Sequence, residues 1–194
     1  ISKPAFTSPE DIVLYELHVR DFSILDESIP AQDRGTFNAF TYSDSLGMQH
    51  LQSLAEAGVS HLHLLPVFDL ATVTERKQDQ QNADFDVLAS FPADSTQQQE
   101  IINAVRDQDG FNWGYDPWHY TVPEGSYSSQ PDGEQRIRDF RAMVASLNAA
   151  GLRVVMDVVY NHTTAAGQSE RSVLDRIVPG YYHRLNADGD VEMS

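Results

Sequence analysis

Residues 152–159 read LRVVMDVV, and this stretch decides the fold. It is rich in β-branched residues and has no helical period, so it predicts a β-strand. The strand follows Gly151, which stands where a left-handed residue is expected to end a helix. Because the apolar residues do not alternate with polar ones, the strand has no clean solvated face. This pattern is typical of a parallel strand that is covered on both sides.

The same sequence of features occurs once more upstream. A helical pattern ends at Gly58, and residues 59–66, VSHLHLLP, then predict a second strand. Residues 12–19, IVLYELHV, predict a strand before it. The helix before Gly58 has an apolar face with Met48, Leu51, Leu54 and Ala55. A second helix, before Gly151, has an apolar face with Ile137, Phe140, Val144 and Leu147. The order strand, helix, strand, helix, strand predicts parallel pairing with right-handed crossovers.

The chain divides into three parts by composition. Residues 1–11 contain proline and serine and are predicted to be a linker. The strands and helices then follow within residues 12–194. A long insert, residues 69–131, separates the second strand from the second helix, and Ile101, Ile102 and Val105 predict a short helix inside it. A loop of this length is usually either functional or disordered, and this one leaves the carboxyl end of a strand, where α/β folds place their sites.

Composition excludes several classes of function. The 194 residues carry a net charge of −16, from 13 basic and 29 acidic side chains, so a nucleic-acid partner is not expected. A neutral substrate such as a sugar polymer is unaffected by this field. Cysteine is absent, which excludes disulfides and thiolate sites. No apolar run approaches the ~20 residues of a membrane span.

An aromatic loop, residues 111–118, reads FNWGYDPW. Gly114 permits an unusual backbone angle and Pro117 fixes one, so the rings are expected to be held rigidly. A rigid Tyr115 or Trp113 could stack on the apolar face of a sugar while Asp116 accepts hydrogen bonds from its rim. Alternatively, the aromatic rings pack the loop down as a local core.

The second candidate motif is residues 157–162, DVVYNH. Asp157 lies near the end of a buried strand and must have a partner, because an isolated buried charge is costly. Asn161 and His162 follow on the next loop, so the group is suited to binding. Alternatively, Asp157 neutralises a buried arginine and His162 caps the strand. The pair His61 and His63 shares one strand face, but without a third ligand we expect a structural role.

These motifs resemble those of one enzyme family. Residues 157–162 resemble the first conserved segment of the α-amylase superfamily of glycoside hydrolases, at the end of the third barrel strand. Residues 112–117, NWGYDP, resemble the motif of pullulanases and limit dextrinases, and residues 14–23, LYELHVRDFS, resemble the first barrel strand of that group. The resemblance implies an α/β fold: an incomplete (β/α)8 TIM barrel with its first three strands, two helices and a long insert after the second strand. A complete barrel usually needs roughly 250 residues.

The resemblance also implies roles for individual residues. Tyr115 is expected to stack on the sugar before the scissile bond, and His162 to hydrogen-bond the same sugar. Asp157 would belong to the network beneath the site and pair with an arginine outside this chain. Asn161 stands where amylases often supply a calcium ligand, although no metal is assigned. The candidates are Tyr115, Asp116, His162 and Trp113 for substrate binding, and Asp157 and Asn161 for support of the site.

The implied activity is starch debranching by cleavage of α-1,6-glucosidic links in pullulan and limit dextrins. Retaining glycosidases need a nucleophile and a general acid. Neither stands in its expected motif here, so we expect both outside this chain and the chain alone to be inactive. The expected partners are a branched α-glucan and the remainder of the catalytic domain. The chemistry needs no cofactor, a structural calcium ion is compatible, and a bacterial parent would be extracellular or associated with the cell envelope.

Two groups of alternatives stay open. An isoamylase, an amylase or a branching-type enzyme of the same superfamily would share the barrel, although the aromatic loop favours a pullulanase. A non-catalytic carbohydrate-binding or interaction fragment would belong to another class of function.

Overall fold

A computed structural model describes residues 2–192 and has a mixed α/β architecture. The strands are β1 (Leu14–Leu17), β2 (His61–Leu64), β3 (Phe68–Leu70), β4 (Pro117–Pro123) and β5 (Arg153–Met156). The α-helices are α1 (Val19–Ser23), α2 (Leu46–Glu56), α3 (Phe85–Ala89), α4 (Gln97–Val105), α5 (Gln135–Ala149) and α6 (Leu174–Ile177). Short 3₁₀ helices cover Pro9–Asp11, Phe37–Thr41 and Lys77–Asp79.

The main sheet has the strand order β1-β2-β5, and both pairs are parallel. Leu14 lies opposite His61 in the first pair, and His61 lies opposite Arg153 in the second. This arrangement confirms the predicted parallel order. The predicted strand over residues 12–19 is too long, because β1 ends at Leu17 and Val19 begins α1.

Helices α2 and α5 supply the apolar cover of this sheet. Both helices are followed by a glycine with positive φ, 108° at Gly58 and 89° at Gly151, as predicted. The buried residues that form the core between helices and sheet include Met48, Leu51, Leu62, Leu64, Met143, Leu147 and Leu152. Ile137 lies in α5 with Phe140, Val144 and Leu147, as predicted, but its side chain is 47% exposed because it belongs to the first turn of the helix.

Burial differs between the strands of the sheet. In β2, Leu62 and Leu64 are fully buried, as expected for a central strand. In β5, Val155 and Met156 are 36% and 39% exposed. The prediction that both strands are covered on both sides therefore holds for β2 and is wrong for β5, because Val155 and Met156 lie on opposite faces and neither face is fully covered by the described residues.

The insert after β2 is folded rather than extended. Strand β3 pairs antiparallel with β4, which brings the two ends of the insert together next to the main sheet. Helix α4 contains the short helix predicted around Ile101 and Val105. Within residues 2–192 neither sheet closes into a barrel.

The opening segment contacts the main sheet. Arg153 in β5 donates a hydrogen bond to the carbonyl oxygen of Pro4, and the ring of Phe6 meets His61 edge-on. The division of the chain into a linker over residues 1–11 and a catalytic portion over residues 12–194 stays a prediction. Residues 1, 193 and 194, at the two ends of these ranges, lie outside the described residues. Across residues 2–192, no helix combines the length and apolarity needed to cross a bilayer.

Candidate functional site

Three of the predicted site residues come together at the carboxyl ends of β2 and β5. The Tyr115 hydroxyl donates a hydrogen bond to Oδ2 of Asp157 at 2.7 Å. His162 Nε2 lies 2.9 Å from the carbonyl oxygen of Tyr115. Asp157 directly follows β5, and its N–H donates to the carbonyl oxygen of Leu64 at the end of β2. Because parallel strands end at one edge of a sheet, the loops that follow them can meet there.

The aromatic loop does not form a local core. Trp113 is 65% exposed and Tyr115 is 44% exposed. Trp113 meets the ring of Phe111 edge-on, with centroids 6.1 Å apart, and Phe111 is itself exposed. Trp118, at the end of the loop, is half-buried and packs on His119 with ring centroids 4.7 Å apart. The prediction that these rings pack the loop down is therefore wrong for Trp113 and Tyr115.

The loop is held closely against the end of β2. Gly114 has a φ of 86°, and a Cβ atom on this residue would lie 2.8 Å from Cβ of Pro66. The carbonyl oxygen of Asp116 accepts a hydrogen bond from the N–H of Ala71. Only glycine fits both the backbone angle and the close approach. The backbone on either side of Tyr115 is therefore fixed, and its ring extends from a rigid support.

Asp157 is paired with Tyr115 rather than with an arginine. Within residues 2–192 no arginine contacts the Asp157 carboxylate. The alternative that Asp157 neutralises a buried arginine of this chain is therefore not observed. The pKa of Tyr115 is raised to about 12, mainly by the hydrogen bond to Asp157 and secondly by burial. The phenol therefore remains protonated and acts as a donor throughout the physiological range.

His162 is oriented by its neighbour Asn161. Nδ2 of Asn161 lies 3.0 Å from Nδ1 of His162, which assigns Nδ1 as the acceptor and Nε2 as the protonated nitrogen. Nε2–H then points to the carbonyl oxygen of Tyr115. The ring thus contacts the aromatic loop and does not cap β5, and its exposed edge can reach a ligand. Asn161 Nδ2 is engaged with His162, so Asn161 has a role in orienting the imidazole.

A cluster of charged residues lies at the base of the insert, and the sequence reasoning missed it. Asp69, Glu75 and Glu124 place carboxylate oxygens within 4.8 Å of one another. The Arg136 guanidinium donates to Asp69 at 2.7 Å and to Glu75 at 2.9 Å. His119 Nδ1 also lies 2.6 Å from Asp69. Arg136 lies 67 positions from Asp69 and 61 from Glu75 in the chain, so no local pattern predicts their contact.

This charged cluster is a poor fit for a metal ion. Arg136 already supplies a positive charge between two of the carboxylates. Both oxygens of Glu124 accept backbone N–H bonds, from Leu70 at 2.8 Å and from Ser126 at 2.7 Å. Burial nevertheless raises the pKa of Glu124 to about 7. The cluster joins the insert to α5 through ion pairs, and a calcium site in the parent protein stays a prediction.

The two histidines of β2 have separate neighbours. His63 Nδ1 lies 3.4 Å from the Glu16 carboxylate in β1, and His61 Nδ1 lies 2.9 Å from the Ser60 hydroxyl. Neither histidine belongs to a group of metal-ligating side chains within the described residues. A structural role for both histidines stays a prediction.

Comparisons with known proteins identify relatives over nearly the whole chain. No protein-family model matches it. Pullulanase 1, chloroplastic, of Arabidopsis thaliana is 50% identical over 193 residues, which are 99% of this chain and 20% of the relative. The isoamylase of Pseudomonas amyloderamosa is 34% identical over 166 residues, which are 86% of this chain and 17% of the relative.

Solved structures give the same result. PulA of Klebsiella oxytoca has a TM-score of 0.85 and 41% identity over 94% of this chain and 21% of its own. A maltotriose complex of PulA from Klebsiella pneumoniae has a TM-score of 0.84 and 41% identity over 91% of this chain and 23% of its own. The chain spans about a fifth of the length of these relatives. Over nearly its whole length, the chain is a homologue of the pullulanases.

Proposed function

We propose that the chain is part of a starch-debranching glycoside hydrolase that cleaves α-1,6-glucosidic links in pullulan and related branched α-glucans. In this proposal, β1, β2 and β5 are the first three strands of a (β/α)8 catalytic barrel. Helices α2 and α5 belong to its outer layer, and residues 69–131 are an insert above the barrel. The parallel strand order and the similarity to pullulanases support this reading.

The observation that carries the proposal is the contact between Tyr115, Asp157 and His162. It creates an exposed aromatic face beside an imidazole edge, at the edge of the sheet where α/β barrels bind their substrates. Tyr115 would stack on the apolar face of a sugar ring, and His162 would hydrogen-bond that sugar by exchanging its Nε2–H contact with the Tyr115 carbonyl for one with a sugar hydroxyl. Asp157 would fix the ring plane of Tyr115 by accepting from its hydroxyl.

Further contacts would come from the same loop. The Trp113 ring is exposed beside Phe111 and could stack on a second sugar unit. The Asp116 carboxylate, next to Tyr115 in the chain, could accept from a sugar hydroxyl. Together these residues would bind and orient the glucan without taking part in bond cleavage.

The bond cleavage itself would use groups outside this chain. A retaining mechanism needs two carboxyl groups about 5 Å apart, one as nucleophile and one as acid and then base. Neither group stands in its expected motif among these 194 residues. We therefore assign both to the rest of the catalytic domain, which would also cover the exposed side of β5. The reaction requires no cofactor in this scheme, and a calcium ion would be structural.

The location of the parent protein is part of the proposal. A bacterial parent would act outside the cell or at its envelope, where large glucans are accessible. The Arabidopsis thaliana relative is named as chloroplastic, so a plant parent would act in the plastid.

The test is hydrolysis by the full-length parent. Incubation with pullulan should release maltotriose, and NMR of the first product should show retention of the α-configuration. The similarity to an isoamylase makes that activity the second candidate, which would give faster initial rates on branched starch than on pullulan. Binding of glucan without any release of reducing ends would contradict both enzymes and support the non-catalytic alternative.

A further inference from the structure

A chain of buried hydrogen bonds connects the end of β1 with the start of the aromatic loop. The Tyr127 hydroxyl lies 3.0 Å from Nε2 of His18 and donates to Oδ1 of Asn112, also at 3.0 Å. His18 directly follows β1, and Asn112 is the residue before Trp113. Tyr127 is 1% exposed and His18 is 8% exposed, so the bond between them is shielded from solvent, and the bond to the half-buried Asn112 is partly shielded.

The direction of each bond follows from the donors and acceptors present. The N–H of Asp21 donates to Nδ1 of His18 at 3.2 Å, so Nδ1 is an acceptor. Burial lowers the pKa of His18, which keeps the imidazole neutral with its one proton on Nε2. Nε2–H then donates to the Tyr127 oxygen, and the Tyr127 O–H donates to Asn112. The network therefore permits one orientation of the Asn112 amide.

The Asn112 side chain depends on this network for its position. Its Nδ2 is buried and has no hydrogen-bond partner among the described residues, so Oδ1 makes the contact that holds the amide. Gly114, two residues further, is pressed against Pro66. Tyr115 follows at once and bonds to Asp157. The loop is thus attached at both ends of the segment that presents Trp113 and Tyr115.

We propose that His18 and Tyr127 are positioning residues for the substrate-binding face of the aromatic loop. Neither side chain is exposed at that face, and both act through Asn112. The inference rests on the proposed function for its effect on catalysis. Its structural part, that the hydroxyl of Tyr127 holds the loop, can be measured without a substrate.

Tyr127→Phe in the full-length parent is the direct test. The substitution removes one hydroxyl and keeps the ring, which packs edge-on against Phe37 and His18 with centroids 5.6 and 5.8 Å away. We expect amide hydrogen exchange in residues 111–118 to become about tenfold faster, because the lost bond leaves two buried polar groups unpaired. We expect kcat/KM on pullulan to fall by about the same factor.

Tyr42→Phe is the matched control. It also removes one phenolic hydroxyl, which donates to Asp33 at 2.7 Å rather than to a residue of the aromatic loop. We expect exchange in residues 111–118 and kcat/KM to stay at the level of the parent. Asn112→Leu breaks the same contact from the side of the loop. When it is combined with Tyr127→Phe, the double variant should be little worse than either single variant.

The outcomes separate the possibilities. Unchanged exchange of residues 111–118 in both Tyr127→Phe and Asn112→Leu overturns the inference. Equal acceleration in residues 46–56 also overturns it, because the hydroxyl would then support the whole fold. Faster exchange confined to the loop with unchanged kcat/KM contradicts a role in catalysis. If the parent does not cleave pullulan, the proposed function fails, while the exchange comparison still tests whether Tyr127 holds the loop.

Discussion

Replacement of Tyr115 by alanine in the full-length parent tests the substrate-binding role of the aromatic loop. A tyrosine side chain has about 200 Å² of surface, so 44% exposure leaves ~90 Å² in contact with solvent. A sugar that covers one face would remove ~45 Å² of this area from water. At ~25 cal/mol/Å² this burial contributes about 1.1 kcal/mol, or roughly sevenfold in kcat/KM.

The alanine variant should lose more than this burial alone. The hydroxyl of Tyr115 also fixes the ring against Asp157, and its removal frees the loop at that point. We therefore expect kcat/KM on pullulan to fall by more than about tenfold, a loss above ~1.4 kcal/mol of transition-state stabilisation. Tyr115→Phe keeps the stacking face and loses only the hydrogen bond, so its kcat/KM should stay within about threefold of the parent.

Two measurements on each variant decide the role of Tyr115. Steady-state kinetics on pullulan reports the substrate contact, and the melting temperature reports the packing of the loop. A Tyr115→Ala enzyme with a lowered melting temperature and normal specific activity would refute the stacking role. Equal losses of kcat/KM in the alanine and phenylalanine variants would also refute it, because the hydroxyl rather than the ring face would then carry the effect.

Four further predictions concern stability and the activity of the isolated chain. Arg136→Met in the parent should cost about 3 kcal/mol by denaturant unfolding, since it leaves the buried Asp69 and the half-buried Glu75 without their shared guanidinium, whereas Arg138→Gln in an exposed pair should cost less than about 0.5 kcal/mol. Gly114→Ala should lower the melting temperature more than Gly133→Ala, because both have positive φ but only Gly114 meets a neighbour. The raised pKa of Glu124 predicts a stabilising contribution that is fully present below pH 4.5 and lost as pH rises through about 7, so wild-type stability should fall relative to Glu124→Gln over that window. The purified 194-residue chain should release no reducing sugar from pullulan, and clear release would refute the assignment of both catalytic carboxyl groups to other parts of the parent.

The sequence predicted the main sheet because its signals are local and repeated. Helices α2 and α5 are each followed by a glycine of positive φ and then by an apolar strand, so Gly58 and Gly151 mark equivalent places in two successive units. Element ends were less well predicted. Val19 continues the apolar run of β1 but begins α1, since His18 accepts the N–H of Asp21 and caps the helix.

The candidate site was predictable from the sequence in part. The motifs at residues 112–117 and 157–162 located the two loops, and the parallel order placed them at one edge. The direct bond between Tyr115 and Asp157 was not predicted, because an acidic side chain was expected to pair with arginine. The roles of these residues in binding a glucan stay predictions.

Contacts across long sequence separations could not be predicted. Arg136 donates a hydrogen bond to Asp69, which lies 67 positions earlier in the chain. The partner strand of β3 begins and ends with proline, a residue that argues against strand assignment, so β4 carried no recognisable pattern. Tyr127 lies in a segment without periodicity, and only the folded chain brings it between His18 and Asn112.

The geometry of the candidate site depends on the register of the main sheet. The N–H of Asp157 donates to the carbonyl oxygen of Leu64, the bond that closes the last pair of β2 and β5, Leu64 with Met156. A slip of one residue would turn Asp157 to the other face of the sheet, away from Tyr115. The register is fixed by burial of Leu62, Leu64 and Leu152 beneath the helices. The same apolar residues that stabilise the core therefore determine the position of Asp157, the acceptor of the Tyr115 hydroxyl. Core substitutions that shift β5 should thus weaken substrate binding even where the chain stays folded.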